Sequence, residues 1–235
     1  MKRLSTLILA FAVLFFVFFI GLIFFRMPFS PYPLVSVQDI LDILTPLVLL
    51  SIYWLLYRIS SKTPFNPFEL IIFIVFAAFW AMGQGMHLSA NSINNLLSQK
   101  GMETGDIYKL TYFYDEVLSH YLWHIGIVGL SAVLIYRQWR NPFTEGKVPL
   151  WPIVLAGVIH GLTYFMIIIE AGTAPLGVTF AVLAVLFVLI RARKGISRQP
   201  LVTFFFITYA LAMFLFFIWG IYWKGLPQFS EVGLI

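Results

Sequence analysis

Residues 112–136 read YFYDEVLSHYLWHIGIVGLSAVLIY. The run is long enough for a membrane span, which needs about 20 mostly apolar residues. Yet its first half carries Asp115, Glu116, His120 and His124. A spacing of four places Glu116, His120 and His124 on one helical face. Ionisable groups inside a span are costly to desolvate, and they mark functional sites when they face a bundle interior. The stretch therefore predicts a spanning helix with a polar site in its first half.

Outward from this helix the composition is of one kind. Of 235 residues, 61% are apolar and only 11% are charged, far from soluble averages. Apolar runs predict seven helices, at about 4–25, 37–57, 68–97, 112–136, 150–171, 175–190 and 201–223. The expected fold is an all-α integral membrane bundle forming a single polytopic domain over 1–235. Pro46 is expected to kink the second helix. The start Met1-Lys2-Arg3 resembles a signal peptide, but the apolar run is too long for one and no small-residue cleavage site follows, so a retained signal anchor is expected. With no cysteine, disulfides, thiolate-ligated metals and cysteine nucleophiles are excluded.

Orientation follows from the basic residues, which concentrate in cytoplasmic loops. An N-terminus inside and a C-terminus outside puts Lys2, Arg3, Arg58, Lys62, Arg137, Arg140, Lys147, Arg191, Arg193, Lys194 and Arg198 on the cytoplasmic side. Arg26, Lys100, Lys109 and Lys224 fall outside. The net charge of +5 thus follows the membrane, and no nucleic-acid partner is expected. The bilayer is the expected partner and the cell membrane the expected location.

With this topology and a rise of about 1.5 Å per residue, His87, His120, His124 and His160 all fall roughly 12–18 Å below the outer boundary. Asn91, Asn94 and Asn95 continue the His87 face outward, and Tyr164 and Glu170 rise along the His160 helix. The inner halves of these helices are nearly all apolar, so the polar groups suggest a cavity open to one side. Imidazole with carboxylate suits a divalent metal, zinc before iron or copper. The expected ligands are His87, His120, His124, His160 and Glu116, with Glu116 and Asp115 as catalytic groups. Asn91, Ser119, Tyr164 and Glu170 are then expected to orient ligands or bind substrate.

The function expected is metal-dependent hydrolysis of a lipid or small apolar, membrane-associated substrate. One alternative is a proton-coupled transporter or ligand-binding protein using the same groups without metal. Another is an electron-transfer protein binding haem through its histidines.

Overall fold

The computed structural model describes residues 2–64, 66–143, 149–192, 196 and 198–234. Lys147, Arg193 and Lys194, assigned above to the cytoplasmic side, lie outside these residues. The protein is a seven-helix membrane bundle. Its spans are Lys2–Phe19, Val37–Ile59, Pro67–Gln99, Asp106–Arg140, Leu150–Glu170, Ala174–Ala192 and Pro200–Trp223. Among the described residues the only extended pairing is an isolated bridge between Pro28 and Ser36.

Among the described residues nine α-helices contribute to these spans: α1 (Lys2–Phe19), α2 (Val37–Asp42), α3 (Leu44–Ile59), α4 (Pro67–Gln99), α5 (Asp106–Tyr112), α6 (His120–Arg140), α7 (Leu150–Glu170), α8 (Ala174–Phe187) and α9 (Pro200–Trp223). The second span breaks at Ile43, between α2 and α3. Pro46 explains the break, because it has no N–H to give the carbonyl of Asp42 four residues back. The start of α2 is fixed by a capping box, in which Ser36 Oγ accepts from Asp39 N and Asp39 Oδ2 accepts from Ser36 N. The first helix ends at Phe19, short of the expected Phe25, and a 3₁₀ turn covers Gly21–Phe24. Hydropathy runs on through these residues, so composition does not register where the helical hydrogen bonds stop.

Between α5 and α6 the backbone forms a π-helical segment, Phe113–Ser119. This fourth span is the most buried of the seven. It packs chiefly on α4, while α7 packs on α9 and α1. Glycine permits the α4–α6 approach: a Cβ on Gly83 would lie 2.5 Å from Trp123 N, and one on Gly126 would lie 2.6 Å from Trp80 N. Gly157 and Gly161 serve likewise against α9, at Ile207 and at the carbonyl of Thr208.

A buried polar cluster closes one end of the bundle. Arg137 donates to the Tyr57 carbonyl, to Glu69 at 2.8 Å and to the Thr63 carbonyl, while Gln138 Oε1 accepts from Leu201 N and Val202 N. These bonds tie α3, α4, α6 and α9 together. The opposite end opens into a cavity.

Candidate functional site

The cavity measures ≈ 860 Å³ and is walled by elements far apart in sequence. Phe19 from the end of α1 stacks on Trp123 of α6, with ring centroids 5.1 Å apart and planes at 13°, and both line the cavity. One wall is a face of α4 bearing His87, Asn91, Asn95 and Gln99, each four residues from the last. Asn95 Nδ2 donates to Asn91 Oδ1 at 3.0 Å, so this wall is a polar ladder climbing from the imidazole. Met166 and Ile167 of α7 give an apolar wall. Residues from the segments 25–36 and 224–234 complete the lining, among them Arg26, Leu34, Phe229 and Leu234.

At the deep end, His87 Nδ1 lies 2.8 Å from Asp115 Oδ1. Asp115 is fully buried, and neither of its carboxylate oxygens accepts a hydrogen bond from another described group. The His87 side chain keeps 23% of its surface exposed. Since Nδ1 is buried, the exposed edge of the ring faces the cavity that it lines. Asp115 lies within the π-helical turn, where the wider winding changes the register of the helix surface. Ser119, one turn on, is buried and donates to the Asp115 carbonyl. The Gly83 approach, one turn before His87, brings the two helices together at that level.

His120 lies beside the pair, its ring centroid 4.9 Å from that of His87. Glu116 stands one turn before it, with Oε2 3.8 Å from His120 Nδ1 and 32% of its side chain exposed. The expected shared face of Glu116 and His120 is therefore present, and both line the cavity. Glu170 also lines it, but its Oε2 accepts from Phe229 N and Ser230 N. That carboxylate holds the 224–234 segment over the cavity.

Three other expected members are not in the cavity lining, although the His124 ring lies 6.4 Å from that of His120. His124 is fully buried, with Nδ1 2.7 Å from Thr173 Oγ1. His160 is enclosed by Phe15, Phe204, Phe11 and Phe205, with centroids 4.4, 5.2, 5.4 and 6.2 Å away, and neither ring nitrogen has a hydrogen-bond partner. Tyr164 is buried and donates to the Gly177 carbonyl at 3.0 Å. Of the expected ligands, His87, His120 and Glu116 line the cavity, and His124 and His160 do not. Depth gives only height along the bundle, and helix rotation about its axis turns His160 into an aromatic layer. Among the described residues no group of three or more histidine, aspartate or glutamate side chains is arranged to hold a metal ion.

Sequence reading did not single out Trp123 or Arg26, both in the lining. Trp123 lies one residue before His124 and has no distinguishing spacing. Arg26 sits in a loop whose path only the folded chain defines. Thr173, the partner of His124, lies in the α7–α8 connection and also gave no signal.

No protein-family model matches the chain, and no solved structure matches it. The chain is similar to the ceroid-lipofuscinosis neuronal protein 6 homolog of Canis lupus familiaris, with 25% identity over 224 residues covering 85% of this chain and 68% of that protein. It is likewise similar to ceroid-lipofuscinosis neuronal protein 6 of Homo sapiens, with 26% identity over 227 residues, covering 85% of this chain and 68% of the human protein. Neither name states a reaction or a ligand.

Proposed function

We propose that this protein is a membrane-embedded hydrolase that takes a lipid-like amphiphile into the cavity and uses the Asp115–His87 pair as its base. The observation that carries the reading is the 2.8 Å approach of His87 Nδ1 to a fully buried carboxylate, on the wall of an amphiphilic cavity. A buried acid beside one imidazole nitrogen orients the ring and stabilises the cation formed when the other nitrogen takes a proton. His87 accepts a proton from water as the water oxygen bonds to the acyl carbon of the substrate. The same ring returns that proton to the leaving atom as the acyl bond breaks. Glu116 and His120 position the substrate's polar end.

The metal variant of this function needs three protein ligands and a water. Among the described residues no three such donors are arranged to hold a metal ion, and the proposed reaction uses acid–base chemistry by the Asp115–His87 pair. The cavity is proposed to face away from the cytoplasm, on the distribution of basic residues.

Reconstituted protein should release product from an acyl-amphiphile panel, followed by mass spectrometry. His87→Gln and Asp115→Asn should each lower turnover by about 10²–10⁴-fold, the usual worth of a positioned general base. Full turnover in both folded variants would exclude this chemistry.

A further inference from the structure

The same cavity has a charge and a size that select among amphiphiles. Among its described lining residues Arg26 is the one permanent cation, against three carboxylates, Asp39, Glu116 and Glu170. Asp39 is engaged by Ser36 N and Glu170 by Phe229 N and Ser230 N. Glu116 is the carboxylate exposed at the deep end, 3.8 Å from His120. An anionic headgroup would meet repulsion there, whereas an ammonium gains a charge-assisted hydrogen bond.

Unpartnered atoms point to a ligand independently of the charge. His120 is 6% exposed and its Nδ1 has no hydrogen-bond partner. In the neutral tautomer protonated on Nε2, Nδ1 is the acceptor. Trp123 is 8% exposed and its Nε1–H has no acceptor. Both residues line the cavity beside Glu116. An acceptor nitrogen and a carboxylate together suit a donor-only group such as an ammonium. The Trp123 donor and the amide ladder of Asn91, Asn95 and Gln99 remain for oxygen acceptors on the same headgroup.

Size restricts the tail. Taking a methylene as about the volume of a liquid water molecule, roughly 30 Å³, one chain of twelve to eighteen carbons fills about 350–550 Å³, and two of the longer chains need about 1,100 Å³. The cavity of ≈ 860 Å³ has room for the first with its headgroup and is smaller than the second.

We infer that the ligand of this cavity is a single-chain amphiphile with an amine headgroup, its ammonium seated between Glu116 and His120 and its oxygen substituents on the α4 ladder. The inference rests on the proposal above only in taking the cavity as the ligand site. The full chain in nanodiscs of zwitterionic phospholipid is titrated with labelled dodecylamine, and lauric acid and dodecyl glucoside compete for it. Dodecylamine should bind saturably, with lauric acid at least about tenfold weaker, as expected for loss of one charge-assisted hydrogen bond. Glu116→Gln should weaken dodecylamine by about tenfold and leave dodecyl glucoside unchanged. Lauric acid competing as well as dodecylamine in the wild-type protein would overturn the inference, whatever the variant does. So would unaltered amine affinity in folded Glu116→Gln. The wild-type protein separates the two proposals: amine preference without turnover of any acyl-amphiphile removes the hydrolase, while turnover without amine preference removes this ligand class.

Discussion

At the residue scale, Asp115 and His87 depend on one another more than on the reaction. A carboxylate fully removed from solvent is tolerated only with a partner, and deleting one member of a buried pair costs about 3–5 kcal/mol. His87→Ala should therefore lower unfolding stability in detergent by about that amount, and adding Asp115→Asn should restore part of it, giving a nonzero coupling in the double-mutant cycle. Additive losses would mean that the 2.8 Å contact carries no energy. His160 should behave in the opposite way. Its two ring nitrogens are unpartnered among phenylalanine rings, and an unsatisfied buried group costs about 1–3 kcal/mol. His160→Phe should leave stability unchanged or raised and leave turnover intact; a large loss of activity would return His160 to the site. His87, His120, Glu116 and Asp115 stood out in the sequence because ionisable groups in a span demand explanation. Their pairing was not legible, since it joins helices whose rotation no spacing reveals.

At the element scale, the site depends on how closely α4 approaches α6. A methyl on Gly83 would stand 2.5 Å from Trp123 N and 2.6 Å from Ser119 O, both backbone atoms that cannot swing aside. Gly83→Ala should cost about 1–3 kcal/mol, as overpacking does, and should lower turnover by separating His87 from Asp115. Gly85, two residues on, has nothing within 4 Å of a built Cβ. Gly85→Ala should stabilise the helix by up to about 1 kcal/mol with turnover unchanged. Equal effects of the two substitutions would show that close approach does not position the site. Both glycines closely precede His87 and look alike in sequence; only the facing helix distinguishes them. The π-helical turn at Phe113–Ser119 was equally silent. Its residues fit an α-helical pattern, and the extra residue per turn shows only as Asp115 buried against His87.

At the scale of the whole molecule, the cavity end and the Arg137 end divide the chain into faces that a label can distinguish. The chain has no cysteine, so each introduced thiol reports alone. Thr104→Cys and Ser230→Cys, exposed at the cavity end, should react with a membrane-impermeant maleimide from outside intact cells or from the lumenal side of sealed vesicles. Thr63→Cys, near Arg137, should react from the opposite side only. The inverse pattern would turn the cavity toward the cytoplasm.

The number of spans, the broken second helix at Pro46, and the polar end of the bundle follow from the sequence by itself. Each depends on local hydropathy or covalent geometry, which a single segment carries. The division of four histidines into a cavity pair, a threonine-bonded ring and an aromatic-caged ring was decided only by the tertiary structure. So was the roofing of the cavity by segments 25–36 and 224–234. These outcomes depend on azimuth and on contacts between residues as distant as Glu170 and Phe229, and neither quantity is a property of one helix.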